Sequence, residues 1–146
     1  MTGRGKRVVA QAAWRFTVLS VLTLAAAWDA AGLLLGGDAA YTSPSYDVLR
    51  SLTPWGMRAY GPLLAVLLAV LVYAYGRFSA GRGYLLLRLC LSGLAGWYVL
   101  WAVGMAGAWW VHWQIGDWTA AGKLFLTAVV CLVLARTTPT ERVTGG

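Results

Sequence analysis

The sequence predicts an all-α integral membrane protein: a four-helix bundle with a short amphipathic interfacial helix between helices 1 and 2. Three observations carry this. The 146 residues are 60% hydrophobic and 12% charged, whereas soluble domains carry about 25% charged residues. Four apolar segments approach the roughly 20 helical residues that cross about 30 Å of hydrocarbon. The basic residues stand mainly at the ends of those segments and form no solvated patch, so the net charge of +7 reads as a topology signal. Nucleic-acid binding, which needs a clustered basic face, is excluded on that ground.

The spans run over 16–35, 54–75, 84–110 and 118–135, within one membrane domain covering 1–146. Connections of about 18, eight and seven residues make sequential neighbours antiparallel. With tails 1–15 and 136–146 in the cytoplasm, nine of the 12 basic residues fall inside, and Arg50, Arg58 and Lys123 fall outside. Both termini are therefore expected in the cytoplasm of a bacterial cell, with the chain multi-pass in its inner membrane. Aromatic residues form two belts: Trp55, Trp109, Trp110, Trp113 and Trp118 with Tyr41, Tyr46 and Tyr60 outside, Trp14, Tyr73, Tyr75 and Tyr84 inside. Amphipathic rings prefer the headgroup level.

The segment MTGRGKR with the following apolar run and AAAWDAAG also has the form of a cleaved secretory signal. The run continues past Trp28 and Asp29 to Leu35, which is spanning length and favours an uncleaved first helix.

Between the first two spans lies a polar interlude, SPSYDVLRSLTPWGMRAYG. Ser43-Pro44 and Thr53-Pro54 share one form, a hydroxyl N-cap followed by proline at the first helical position. The first start gives a short helix over 44–52, with Val48, Leu49 and Leu52 opposite Asp47, Arg50 and Ser51, suited to the outer surface. The second launches the second span.

Ionisable groups inside spans are functional candidates. Asp29 lies six residues before Leu35 and Lys123 six after Asp117, the expected N-cap of the last helix. Each is then about 9 Å below the outer interface at 1.5 Å per residue. Equal depth predicts an intramembrane ion pair, Asp29–Lys123, with Arg58 near enough to join it or Asp47. A packing clamp is the plain role; a proton or ion path is the sharper one. On the third span, Gly93, Gly96, Gly104 and Gly107 share one helical face, beside Trp97 and Trp101. Small residues let helix backbones approach, within the chain or between copies.

Cys90 and Cys131 sit inside apolar runs as small hydrophobes. His112 has no second histidine or acidic cluster nearby, so no metal site is expected. No nucleophile triad or nucleotide loop is present, and the reading is a non-enzyme without cofactors.

At YDVLRSLTPWGMRAYG, with one apolar helix upstream and others downstream, the chain resembles small four-span membrane proteins of actinobacterial phages, the holin-like proteins of the lysis cassette. The resemblance implies assembly of homo-oligomers in the host cytoplasmic membrane, then a timed lesion that serves an endolysin. Many holins have a more densely charged tail than Arg136, Glu141 and Arg142 provide. Two other readings stand beside it. One is a non-catalytic subunit or scaffold docking other membrane proteins through the glycine face. The other is a quinone-associated or transporter-like bundle using Asp29 and Lys123.

Overall fold

A computed structural model gives the architecture. It describes residues 3–36, 42–52, 60–76, 81–113 and 115–138, with side chains from 14 onward and outside 74–84. The regular structure of the described residues is all helical: α1 (Gly3–Gly36), a 3-10 turn (Pro44–Tyr46), α2 (Asp47–Leu52), α3 (Tyr60–Gly76), α4 (Gly81–His112) and α5 (Ile115–Thr137).

Three of these helices are long and apolar enough to cross a membrane: Trp14–Gly36, Leu85–His112 and Ile115–Thr137. The fourth expected span differs. The described part of α3 is 17 residues, about 25 Å at 1.5 Å per residue and short of the hydrocarbon thickness. The expected extension from Pro54, with Thr53 and Arg58, lies outside the described residues. Other boundaries move outward. Helix α1 starts at Gly3, not Phe16, because Arg, Lys, Gln and Ala propagate a helix well past the point where hydropathy ends. Helices α4 and α5 approach to within two residues of each other. The turn is closed at Trp113, whose φ of 55° is left-handed and whose N–H donates to the Trp109 carbonyl at 2.7 Å. This early restart puts Asp117 inside the first turn of α5, not at its N-cap.

Helix α4 is the central element. It packs along α5, and α3 fills the space between α1 and α4. The long-helix pairs α1–α3, α3–α4 and α4–α5 are each antiparallel. Gly61 at the start of α3 meets Leu34 near the end of α1, while Leu71 and Val72 line one crevice with Leu19 and Leu24. The Cys90 thiol of α4 donates to the Leu67 carbonyl of α3 at 2.6 Å, and Tyr60 packs edge-on against Trp97 at 4.5 Å. Arg15, where the apolar part of α1 begins, donates to the Thr138 hydroxyl just past α5, at 3.2 Å. The buried positions of α1 are Leu19, Leu22, Ala26, Ala30 and Leu33, a single stripe at helical period. The opposite faces of α1 and α5 are apolar and exposed, including Trp28, Leu35, Phe125 and Leu126.

Ser43 caps the 3-10 turn, accepting the Ser45 N–H at its hydroxyl, with Pro44 as first residue. Asp47 and Arg50 form an ion pair on the exposed side of α2. The expected apolar side is narrower than the sequence suggests. Leu49 is buried and Val48 half-buried, but Leu52 is exposed, because a six-residue helix offers one contact line to its neighbour.

Candidate functional site

The glycine face of α4 determines where the interlude sits. A Cβ on Gly104 would stand 3.0 Å from Leu49 Cδ1, and one on Gly107 would stand 3.0 Å from Val48 Cγ1. Further down the helix, Gly93 faces Leu67 of α3, and Gly96 faces open space. Three of the four glycines thus make room for elements of the same chain. This docking brings Tyr46 down onto the helix, where its ring meets Trp101 edge-on at 6.1 Å.

Below Tyr46 lies a cavity of about 310 Å³ with α4 as its floor. Trp97, Tyr98, Trp101 and Met105 form that floor, Asp29 and Leu33 of α1 form one wall, and Ala120, Lys123 and Leu124 of α5 form the other. The arrangement follows from period: 97, 98, 101 and 105 share one face of α4, as 29 and 33 do on α1 and 120, 123 and 124 on α5. Tyr46 lines the cavity as well, and the cavity is partly open.

Asp29 and Lys123 therefore reach the same cavity, but among the described residues no ion pair joins them. The Asp29 carboxylate accepts instead from the Tyr98 hydroxyl, at 3.0 Å to Oδ2. Oδ1 has no protein partner among the described residues. The Lys123 side chain is exposed at the rim. Arg58, the third expected member, lies outside the described residues. Charges in a span are normally paired or hydrogen-bonded, so this site has one half-satisfied anion and one cation facing a shared space.

Tyr98, which holds Asp29, has no signal of its own in the sequence; the signal available was its helical neighbourhood with Trp97, Trp101 and Met105. Asp117 lies close to Tyr46. It is 7% exposed, and its Oδ2 is without a hydrogen-bond partner among the described residues. Burial pushes the Tyr46 phenol above its ordinary value, and the negative charge of Asp117 adds to that. A second aromatic group, Trp109, Trp110, Trp113 and Trp118, gathers around the α4–α5 turn, with Trp109 and Trp118 at 4.9 Å. His112 is exposed beside it. Among the described residues, no three His, Cys, Asp or Glu side chains cluster as metal ligands would. Both cysteines are free and buried.

Comparison with known proteins gives no match to a family model, to a curated protein or to a solved structure.

Proposed function

We propose that this is a four-span, non-enzymatic protein of the bacterial cytoplasmic membrane that assembles with further copies and permeabilises the bilayer, in the manner of holin-like phage proteins. The observation that carries the reading is the distribution of surface. The exposed faces of α1 and α5 are largely apolar, while Asp29 turns toward Tyr98 of α4 and Asp117 is buried. Such faces suit lipid or a neighbouring copy. The glycine face suits association less well, since Val48, Leu49 and Leu67 already cover most of it. The scaffold reading loses its main surface in the same way.

Chain direction supports a fourth crossing. Helices α1 and α5 are antiparallel, and the beginning of the apolar part of α1 meets the end of α5 at Arg15 and Thr138. Helix α4 is antiparallel to α5 and hence runs parallel to α1. The chain must then return between α1 and α4, and α3 is the element that returns. The excess of Arg and Lys supports a cytoplasmic side for the Arg15 end.

Induced expression in a bacterial host, with growth and membrane potential followed together, tests the proposal. Abrupt loss of potential after a delay, and lysis when an endolysin is co-expressed, is the expected result. Continued growth with intact potential and confirmed membrane insertion rejects it. The cavity favours a second reading, a ligand-binding bundle of the quinone-associated or transporter-like kind. In that case Asp29→Asn changes ligand binding and leaves the host's potential untouched.

A further inference from the structure

Asp29 and Lys123 line one cavity without meeting, and each lacks a full set of partners. A ligand that carries both charges would satisfy both. We propose that the cavity is a binding site for the headgroup of a zwitterionic phospholipid bearing a primary ammonium, of the phosphatidylethanolamine class.

The parts match in kind and in place. Asp29 Oδ2 is held by the Tyr98 hydroxyl, which fixes the carboxylate and leaves Oδ1 to accept from the ammonium. Trp97, Trp101 and Tyr46 stand around the same space, and aromatic faces attract a desolvated cation. Lys123 on the opposite wall supplies the positive charge for the phosphate, as a flexible point charge at the rim. The cavity's 310 Å³ is at the small end of ligand sites, which run from about 300 to 1,000 Å³. That is room for a headgroup, with the acyl chains left outside. The cavity is partly open, and exposed apolar side chains such as Trp28 and Leu126 lie on the same two helices, α1 and α5, so those chains can remain in the bilayer. An anionic lipid offers nothing to Asp29, and a free cation offers nothing to Lys123.

The inference rests on membrane placement of the chain and is independent of permeabilisation. Detergent-solubilised full-length protein is titrated with phosphatidylethanolamine or phosphatidylglycerol of matched acyl chains, and bound lipid is read by native mass spectrometry. The ethanolamine lipid is expected to be retained in a one-to-one complex. Asp29→Asn weakens it by about tenfold or more, the scale of one charged hydrogen bond. Lys123→Gln, at an exposed position that folding tolerates, weakens it in the same direction. Equal retention of both lipids, or retention unchanged in both variants, overturns the proposal. Binding of free phosphoethanolamine as tightly as the lipid overturns the lipid assignment. Membrane extraction of the wild-type chain, measured separately, tells failure of this site from failure of the membrane reading.

Discussion

Gly104 of α4 lies directly beneath Leu49 of α2: a Cβ on the glycine would come within 3.0 Å of Leu49 Cδ1 and 3.2 Å of its Cβ. The polar interlude is thus seated in a depression made by absent side chains. Gly104→Ala fills that depression. Overpacking costs about 1–3 kcal/mol, against a helix-propensity gain of about 1 kcal/mol, so a net loss of stability and faster proteolysis within 43–52 are expected. Gly96→Ala, where nothing stands within 4 Å, keeps the propensity gain and shows no loss. Equal effects at both sites in thermal unfolding and limited proteolysis would contradict the seating.

Leu49 is 1% exposed and Leu52 is 47% exposed, although the two are three residues apart on one short helix. Leu49→Ala should cost about 2–5 kcal/mol, as core truncations do. Leu52→Ala should stay within about 0.5 kcal/mol of wild type. Denaturant titration in detergent, read through tryptophan fluorescence, separates them.

Helix class and the apolar segments were legible in the sequence because each depends on local composition. The glycine period of α4 was legible too, but not its occupants, because Val48 and Leu49 arrive from a separate element by tertiary docking. Hydropathy placed the start of α1 at Phe16, since it registers the apolar limit and not the helix propensity of the basic stretch before it. Tyr98 was missed for a related reason. A tyrosine in mid-span looks like an ordinary core residue until its hydroxyl is seen to reach Asp29, 69 positions away.

That hydroxyl gives a directed test. Tyr98→Phe removes the donor and leaves the carboxylate half-buried with less support, at a cost of about 1–3 kcal/mol. Asp29→Asn keeps an acceptor for Tyr98 and should cost less. Asp29→Leu strands the Tyr98 hydroxyl in a buried place and should cost at least as much as Tyr98→Phe. A reversed order in thermal unfolding would show that the contact contributes little.

Tyr46 supplies a pH dependence. Burial, then the Asp117 charge, holds its phenol above the ordinary value of 10.0. The folded state therefore holds this proton more tightly than the unfolded state does. Its contribution is full below about pH 10 and is lost as pH rises through the folded value. Alkaline titration of tryptophan fluorescence should show Trp101 responding as the interlude detaches. Tyr46→Phe cannot ionise there, and its transition should move to higher pH. An identical transition in both proteins would place the alkaline change elsewhere.

The hydrogen bond from Arg15 to Thr138 brings the beginning of the apolar part of α1 beside the end of α5, and under the proposed membrane placement this calls for an even number of crossings, with α3 as one of them. Single-cysteine reporters test this directly, since the native Cys90 and Cys131 are buried. Thr42→Cys, at an exposed position just before the interlude, should react with a membrane-impermeant maleimide added to intact cells. Thr2→Cys and Gly146→Cys should react only after permeabilisation, and together. Opposite labelling of the two termini would mean three crossings, leaving α3 packed against its neighbours without traversing the bilayer. Same-side termini with Thr42→Cys shielded would instead invert the whole chain, and with it the side from which the Asp29–Lys123 cavity is reached.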